Sequence, residues 1–534
     1  MLAGLPAAAS AAELQRPSSQ TEPPRFFERS AREVERIAAR TEKVREARRD
    51  GPLDPTAYTK GIGRWQVSFF RGKDEVVQVQ LDDRSGAVLE QWSGEQVAWT
   101  MARGYPGAFG RKLNAPYVWL PLCVLFLLPF VDVRRPFRLL HLDLLVLLAF
   151  GASHWFFNRG EIGVSAPLAY PVLLYLLVRA LLAAFRPRRA AGPLVPHAPL
   201  VLLIAGVVFL TAFRVGLNVA DSNVIDVGYA GVIGADRIAD GRQLYGEGFS
   251  DDVERGDTYG PVNYLLYVPF EQALPWSGHW DELPAAHAAA IVFDLLAIGG
   301  LLLLGLRLRP GREGTALGVA LAYAWVAYPY TAFVLESNSN DTLVAVACIG
   351  ALLAATLARD RVSAAVGAAA IGLGAASKFV TAALAPLFAR RSPHVFGGTL
   401  VLALALVVAP FIPDGGVREL YDRTIGYQAG RPSPFSLWGQ VGSLGWLQDL
   451  AKAAAGGLVL LAAFVPRRPG PRQTAALGAA ILLAVELTAT HWFYLYVVWF
   501  VPFVLVTLFA AYDRALPEPP REREPEPERE AVLA

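Results

Sequence analysis

The chain has 534 residues, of which 54% are apolar and 18% charged, with a formal net charge of +2 at pH 7. An apolar fraction this high over this length is typical of a polytopic integral membrane protein with a modest soluble part. Net charge alone says nothing about nucleic acid, which is not expected among the partners. Cys123 and Cys348 lie in apolar runs, where core-filling thiols are expected rather than a disulfide or a metal site.

Residues 1–115 are predicted to form a small α+β domain. Its opening residues, Met1 to Ala12, look like the end of a signal peptide. Two alternatives stay open: the true start lies upstream, or the first span exports the domain. A charged amphipathic helix is predicted from Ser30 to Arg49. Strand-like runs separated by turns follow it, at Trp65 to Phe70, Val76 to Leu81 and Ala87 to Trp92.

This outline, together with the turn from Asp82 to Gly86 and the strand after it, resembles a PepSY-type module. The resemblance is carried by the order of helix, meander and turn. It implies a fold for the domain and no catalytic chemistry.

Apolar runs beyond the domain predict about thirteen transmembrane or half-membrane segments, since a full span takes about 20 residues. They are Tyr117 to Val131, Leu139 to Phe157, Ala166 to Phe185, Ala198 to Ala220, Ala285 to Leu306, Thr315 to Leu335, Thr342 to Leu357, Val362 to Ser377, Phe379 to Ala389, Val395 to Ile412, Ala453 to Val465, Thr474 to Thr490 and Trp492 to Tyr512. Three additional spans are expected within 116–197, and a catalytic transmembrane unit within 198–512. Residues 513–534 are expected to form a disordered cytoplasmic tail.

Arginine clusters mark six hinges between these segments. They are Arg134 with Arg135, Arg186 with Arg188 and Arg189, Arg307 with Arg309 and Arg312, Arg359 with Arg361, Arg390 with Arg391, and Arg467 with Arg468. Basic residues near span ends stay cytoplasmic, and all six hinges fall on one side when the segments are counted as above. The same count places the N-terminal domain, the loops 221–284, 336–341 and 413–452, and His491 on the outer face.

The hinges at Arg361 and Arg390 are both expected on the cytoplasmic side, yet only about 28 residues separate them. Two full helices do not fit. The segment is therefore predicted to be a pair of half-helices with its apex at Ser377 and Lys378. An intramembrane lysine is a functional candidate, and the alternatives are that Lys378 snorkels or pairs with an acid.

The polar region from Asp221 to Pro284 is the predicted location of chemistry, because structureless loops of that length are uncommon. Several motifs follow one another in this region and beyond it. They are Asp226-Val-Gly-Tyr229, Gly241-Arg-Gln-Leu-Tyr245, Tyr259-Gly-Pro-Val-Asn-Tyr264, Glu336-Ser-Asn-Ser-Asn-Asp341, Ser377-Lys378, Arg431-Pro-Ser-Pro-Phe-Ser436 and His491-Trp-Phe-Tyr494.

In this order the motifs resemble those of the GT-C glycosyltransferases, over Ala198 to Tyr512. The particular likeness is to the polyprenyl-phosphate-mannose-dependent mannosyltransferases, similar to glycosyltransferase family 87. One departure stands out: the relatives often show Tyr-Pro-Pro where this chain has Tyr259-Gly260-Pro261.

The resemblance implies an all-α, GT-C-like membrane enzyme that transfers a sugar, mannose-type, from a polyprenyl-phosphate donor to a lipid or glycan acceptor outside the cell. Asp226 is implied as the general base with Asp221 as its competitor, and Lys378 and His491 as groups on the phosphate side. Further substrate contacts are expected at Tyr229, Tyr245, Tyr259, Asn338, Asn340 and Arg431. No metal ligands are predicted, and a divalent cation is left open. The composition suggests a bacterium, whose plasma membrane lipids and cell envelope would surround the enzyme.

Other interpretations of these residues remain. Asp226 is able to cap a helix that starts near Val227, and the segment from Glu336 to Asp341 suits a capping turn. His491 suits a solvated interface. Arg214 and Asp294 lie in neighbouring spans and are expected to pair. Four tryptophans are read most simply as interfacial belt residues, although aromatic rings also suit sugar faces, namely Trp276, Trp280, Trp438 and Trp492.

Two other classes of protein are weighed against the enzyme. A secondary transporter accounts for a lysine at a broken helix, but the loops on the basic side carry little besides arginine. A non-catalytic scaffold for the N-terminal domain leaves the dense outer loops without a role.

Overall fold

The computed structural model describes residues 14–104, 111–246, 249–250 and 253–517. In these ranges an N-terminal sheet is followed by a bundle of mostly apolar helices. The segment Met1 to Ala12 and the tail from residue 518 onward lie outside the described residues, so the predictions made for them stay predictions.

The N-terminal sheet is an antiparallel meander of five strands in chain order. The strands are β1 (Leu14–Gln15), β2 (Asp54–Lys60), β3 (Arg64–Arg71), β4 (Asp74–Asp82) and β5 (Val88–Ser93). Alternate apolar side chains of β3 and β4 are fully buried, as the period of a strand requires, and they are Trp65, Val67, Phe69, Val77, Val79 and Leu81. The helices α1 (Ala31–Ala38), α2 (Glu42–Ala47) and α3 (Glu95–Ala98) accompany the sheet. The predicted α+β class of this domain is confirmed.

Two local predictions for this domain need correction. The helix predicted from Ser30 to Arg49 is two helices, because the chain leaves the helical conformation at Thr41, which is the N-cap residue of α2. Strand β2 is absent from the prediction. Its sequence is polar, and only Ala57 within it is buried, so the alternation that marks a strand is missing.

The rest of the described chain is largely helical. Its helices are α4 (Pro116–Leu127), α5 (Leu139–Phe157), α6 (Ile162–Phe185), α7 (Leu200–Asp221), α8 (Asp226–Ala239), α9 (Pro261–Leu265), α10 (Val268–Ala273), α11 (Pro284–Leu308), α12 (Gly311–Ala327), α13 (Pro329–Glu336), α14 (Thr342–Ala355), α15 (Asp360–Ala375), α16 (Ala385–Phe388), α17 (Pro393–Val408), α18 (Gly416–Tyr421), α19 (Tyr427–Gly430), α20 (Leu437–Gln440), α21 (Gly445–Ala462), α22 (Pro471–Thr488) and α23 (Val497–Phe509). Two short strands, β6 (Ala190–Pro193) and β7 (Tyr512–Arg514), pair in parallel.

Five of the described helices are long and apolar enough to cross a membrane: α5, α6, α7, α11 and α17 with the turn that extends it to Phe411. The bent pair α12 and α13 makes a sixth if it counts as one span. The protein is therefore a multi-pass membrane protein. The number of thirteen segments remains a prediction.

The bend between α12 and α13 has a local cause. Tyr328 lies in an extended conformation before Pro329, the first residue of α13, as the residue before a proline prefers. The two helices meet at 59°. Arg214 of α7 fills the break, donating hydrogen bonds to the carbonyl oxygen of Trp325 and the hydroxyl of Thr331. It also forms an ion pair of 3.1 Å with Asp294, so the predicted pairing of these two residues is confirmed.

The basic hinges meet at one end of the helix bundle. The Arg138 guanidinium, just after the first hinge, donates to the carbonyl oxygen of Pro193, just after the second. Arg472, beyond the sixth hinge, donates to the carbonyl oxygen of Arg188 in the second. Arg309 of the third hinge donates to the carbonyl oxygen of Tyr512 in β7, which pairs with β6 next to the second hinge.

The two remaining hinges join the same end. Arg390 of the fifth hinge donates to the carbonyl oxygens of Ala462 and of Pro466, the residue next to the sixth hinge. Arg391 donates to the carbonyl oxygen of Leu357, two residues before the fourth. All six hinges therefore lie on one side of the bundle, as the charge pattern predicts.

Helix α15 ends close to the apex predicted from the spacing of the hinges. It runs from Asp360 to Ala375, and Lys378 follows in an extended conformation. The chain then turns back through a 3-10 helix, Phe379–Leu384, and the short α16. The return half is mostly 3-10, which differs from a regular half-helix, and the break places Lys378 at a chain reversal.

Candidate functional site

Asp226 is the first residue of α8, with Ile225 as the N-cap residue. The backbone before it is tied to the turn after α13: the amide of Asn223 donates to the carbonyl oxygen of Glu336, and the amide of Ile225 to that of Ser337. Gly228 is required here, since a Cβ at this position would lie 2.4 Å from the carbonyl oxygen of Asn338. The turn after α13 therefore fixes the position of Asp226.

Asn338 is the centre of that turn. It has a left-handed backbone, with φ of 48°, which asparagine tolerates better than most residues. Its side chain accepts a hydrogen bond from Asn218 and donates to the hydroxyl of Ser222 and to the carbonyl oxygen of Asn223. These contacts hold the turn against the end of α7. Asn338 therefore positions the backbone around Asp226, and its contact with substrate stays a prediction.

A cavity of about 140 Å³ opens beside α8. Its lining comes from α8, from the segment before α9 and from the loop around α19. The lining residues are Asp226, Val227, Ala230, Val253, Arg255, Gly256, Thr258, Tyr259, Tyr427 and Arg431. The Asp226 side chain is exposed to this cavity. Among the lining residues that the structure describes, Asp226 is the single carboxylate, and Arg255 and Arg431 are the cations.

The electrostatic environment of Asp226 combines opposing effects. Although the side chain opens on the cavity, the protein around the carboxyl displaces bulk water, and this desolvation raises its pKa above the ordinary value. The positive charge of Arg431 opposes this effect, followed by that of Lys378. The negative charge of Asp341 raises the pKa further. A carboxylate whose basicity is raised and that opens on a cavity has the character of a general base.

The loops beside the cavity are fastened to each other. The Arg423 guanidinium forms an ion pair of 2.7 Å with Asp257 and donates to the carbonyl oxygen of Gly246. The Gln428 amide donates to the hydroxyl of Thr258. These contacts place Tyr427 and Arg431 on the wall that faces Asp226.

The Tyr259-Gly260-Pro261 motif packs onto the reversal after α15. The amide of Gly260 donates to the carbonyl oxygen of Ser377, and a Cβ at this position would lie 2.1 Å from the carbonyl oxygen of Ala376. A proline, often present here in relatives, has neither the donor nor the room. This close approach is a physical reason for the departure from Tyr-Pro-Pro.

Lys378 forms a buried pair with Asp341 beneath the cavity. Its Nζ lies 2.5 Å from Oδ1 of Asp341, which also accepts a hydrogen bond of 2.8 Å from the Trp499 indole. Aromatic rings surround the ammonium group, at 5.3 Å for Tyr259 and 5.8 Å for Tyr496. Pairing with an acid is one of the alternatives for Lys378, and the structure shows this pair, with Asp341. Lys378 does not line the cavity, although its charge acts on Asp226.

His491 lies behind Arg431 rather than on the cavity wall. Its Nδ1 shares a hydrogen bond of 2.9 Å with the hydroxyl of Ser433. Burial and the positive charges of Arg431 and Lys378 hold the pKa of His491 well below its usual value. The imidazole is therefore neutral at physiological pH, and a role of His491 on the phosphate side stays a prediction.

Four other predicted site residues do not line the cavity. Asp221 ends α7 and pairs with Lys112 at 3.3 Å. Tyr229 is buried and stacks on Trp280 at 4.8 Å between ring centres. The hydroxyl of Tyr245 donates to the carbonyl oxygen of Tyr259. The Asn340 amide donates to Asn263, so Asn340 links the turn after α13 to α9.

The four tryptophans considered as stacking surfaces for sugar rings each donate a hydrogen bond within the protein. Trp276 and Trp280 donate to the carbonyl oxygens of His279 and Val224. Trp438 and Trp492 donate to the carbonyl oxygen of Leu487 and to the carboxyl of Glu486. None of the four is among the residues that line the cavity.

Sequence reasoning missed several residues around the cavity. Arg255 and Thr258 lie between an acidic run and Tyr259, and Tyr427 precedes the Arg431 motif. Their only signal in the sequence is that they lie near these motifs. The sequence predicts a turn that includes Asp341 and does not indicate that Asp341 pairs with Lys378. Among the residues that the structure describes, no group of three or more His, Cys, Asp or Glu side chains is arranged to hold a metal ion.

Comparison with known families tests the predicted resemblance. Residues 258–491 match the model of glycosyltransferase family 87. The resemblance to this family is thereby confirmed, over a shorter stretch than the predicted Ala198 to Tyr512. The match includes Tyr259, Lys378, Arg431 and His491, whereas Asp226 precedes it.

A search of curated proteins gives no match. Among solved structures, one similar chain is ArnT from Cupriavidus metallidurans bound to undecaprenyl phosphate, with 17% sequence identity and a TM-score of 0.39. The alignment covers 58% of this chain and 59% of that one, so this chain spans somewhat over half the length of the solved relative.

Proposed function

We propose that this protein is an integral membrane glycosyltransferase of the GT-C type, which transfers a sugar from a polyprenyl-phosphate donor to a lipid or glycan acceptor outside the cytoplasm. One observation carries the proposal: a basic carboxylate, Asp226, faces the guanidinium groups of Arg431 and Arg255 across a single cavity. The match of residues 258–491 to a glycosyltransferase family supports it. A mannose-type sugar is the finer proposal.

Asp226 and the arginines suit the two charges that change in such a transfer. The acceptor hydroxyl oxygen forms a bond to the anomeric carbon while its proton passes to the Asp226 carboxylate. The bond between that carbon and the phosphate oxygen breaks, and the electron pair leaves with the polyprenyl phosphate. Negative charge grows on the departing phosphate, where a guanidinium stabilises it. No nucleotide is needed, because the polyprenyl phosphate is itself the leaving group.

The proposal is tested by transfer from a defined donor. Purified protein in liposomes is given polyprenyl-phosphate-mannose with a radiolabelled sugar and an extract of membrane lipids and glycans as acceptor. Labelled product that depends on the protein supports the proposal, with heat-inactivated protein as the control. Absence of transfer with mannose and with other polyprenyl-phosphate sugars contradicts it, and uptake of the sugar lipid without transfer favours the transporter.

The pH dependence of transfer reports the state of Asp226. Since its pKa lies above the ordinary 3.8 and the base acts when deprotonated, transfer should fall as the pH drops through that raised value. Removing the positive charge in Arg431→Gln should move this acid limb to higher pH. The measurement is kcat/KM for the donor against pH. Arg418→Gln, an exposed arginine of the same outer loop, should leave the limb in place, and an unmoved limb in Arg431→Gln argues against the assignment.

The proposed orientation places the N-terminal domain outside and the basic hinges inside. In a variant with Cys123 and Cys348 replaced by serine, Lys73→Cys in the turn after β3 should react with an impermeant thiol reagent on intact cells. Arg468→Cys, exposed at the sixth hinge, should react only after lysis. Mass tagging on a gel measures both. The reverse pattern overturns the orientation and places the cavity on the cytoplasmic side.

A further inference from the structure

Trp99 brings the N-terminal domain into contact with the candidate site. It follows α3 directly, and its ring lies under the guanidinium of Arg431, with 4.9 Å between the Arg431 Cζ and the ring centroid. The same ring stacks with His491 at 5.7 Å and meets Phe435 edge to face at 5.5 Å. Arg431 lines the cavity that Asp226 opens on. A tryptophan of the domain therefore supports a cation of the cavity wall.

The position of Trp99 is fixed from two sides. On the domain side, the Arg103 guanidinium donates to the Gln78 side chain in β4, at 2.5 Å, and to the carbonyl oxygen of Gln96. On the membrane side, the Gln96 amide donates to the carbonyl oxygen of Gly160, in the turn between α5 and α6. The segment that carries Trp99 thus joins the sheet to the helix bundle.

The contact with the Trp99 ring should make it easier for Arg431 to bind an anion. A long arginine side chain loses rotamer freedom when it binds an anion. A ring that already holds the guanidinium lowers that loss, and a cation over an indole is a favourable arrangement. His491, which shares the ring contact and is neutral, adds no competing positive charge.

We infer that Trp99 is a positioning residue for the reaction: the N-terminal domain supplies it to hold the Arg431 guanidinium toward the cavity, where that group binds the phosphate of the donor. The inference rests on the proposed function for the identity of the donor. It gives the additional domain a role in the site, because Arg431 has no support from the Trp99 ring when the domain is displaced.

The kinetic test compares two tryptophans that each lie against an arginine. Trp99→Leu, which keeps an apolar side chain but no aromatic face, should raise the donor KM about 3- to 30-fold, the range that cation–π contacts span. The KM for the acceptor should stay within about twofold, and Trp99→Phe should recover much of the loss. Trp155→Leu is the control, since the exposed Trp155 also lies against an arginine, Arg159, and is not among the residues that line the cavity. In an Arg431→Ala background, Trp99→Leu should have no further effect.

A second measurement does not depend on transfer. The rate at which phenylglyoxal modifies Arg431, followed by mass spectrometry of its peptide, should rise about threefold or more in Trp99→Leu and stay unchanged in Trp155→Leu. Faster modification without any transfer by the wild-type protein keeps the positioning contact and rejects the proposed function. Unchanged modification in Trp99→Leu, or equal effects on KM from both tryptophans, overturns the inference.

Should Trp99→Leu fail to purify as a single species, Trp99→Phe with wild-type KM and wild-type reactivity supports the aromatic contact, and Trp99→His provides the loss variant.

Discussion

Replacing Asp226 with asparagine should reduce sugar transfer by about 10²-fold or more while donor binding is retained. The amide has the size of the carboxylate but does not accept the proton of the acceptor hydroxyl, and loss of a general base has effects of this magnitude. Since the side chain opens on the cavity, the cost in folding free energy should stay within about 1 kcal/mol, including the loss of a negative charge at the start of α8. The measurements are initial rates of transfer and donor affinity in detergent.

Asp221→Asn is the matched control for this prediction. Asp221 pairs with Lys112 at the end of α7 and is absent from the cavity lining, so its loss should reduce transfer far less. Full transfer in Asp226→Asn together with collapse in Asp221→Asn would move the base five residues upstream. Full transfer in both variants removes the carboxylate mechanism, and loss of donor binding in Asp226→Asn assigns the residue to binding rather than to proton transfer.

Much of the architecture is predictable from local patterns. The alternation in Trp65 to Phe70 and Val76 to Leu81 predicts β3 and β4, because alternate side chains enter the core of the sheet. The arginine hinges predict a common side of the bundle, and their spacing predicts the chain reversal at Lys378. Strand β2 escapes prediction because its polar residues leave only Ala57 buried, so its pairing with β3 decides its conformation.

The sequence predicts part of the site. What it does not predict depends on contacts between residues that lie far apart in the chain. The motif order locates Asp226, Tyr259 and Arg431, which the fold brings to one cavity. The same motifs place Asn338 and Tyr245 in substrate contact, whereas their polar groups are used in hydrogen bonds to neighbouring backbone and side chains. A motif does not distinguish a residue that meets substrate from one that positions another.

Contacts between distant elements leave no local pattern at all. Asp341 and Lys378 are 37 residues apart, and the sequence around either residue does not indicate that the two pair. Trp99 belongs to a domain outside the matched family region, so the motifs of that region give no reason to look for it beside Arg431. Such pairs become visible only when packing brings their elements together.

Breaking the buried pair of Lys378 and Asp341 should strongly destabilise the protein. Lys378→Met leaves the Asp341 carboxylate without its cation, and Asp341→Asn leaves a buried ammonium group, each at a cost of about 3–5 kcal/mol. The double variant Lys378→Met with Asp341→Asn buries no net charge and keeps an acceptor for the Trp499 indole. It should recover most of the stability, measured as the thermal midpoint of the detergent-purified protein.

Transfer by the double variant then separates structure from function. If the charge of Lys378 acts on Asp226 and on the donor, as its position beneath the cavity indicates, transfer should remain at least about tenfold below wild type although the fold is restored. The buried pair of Arg214 and Asp294 is the matched control, because its hydrogen bonds go to Trp325 and Thr331 and not to the cavity wall. Arg214→Met with Asp294→Asn should restore stability and transfer together. Recovery of transfer along with stability in the Lys378 double variant would show that this lysine holds the chain reversal in place and takes no part in the reaction.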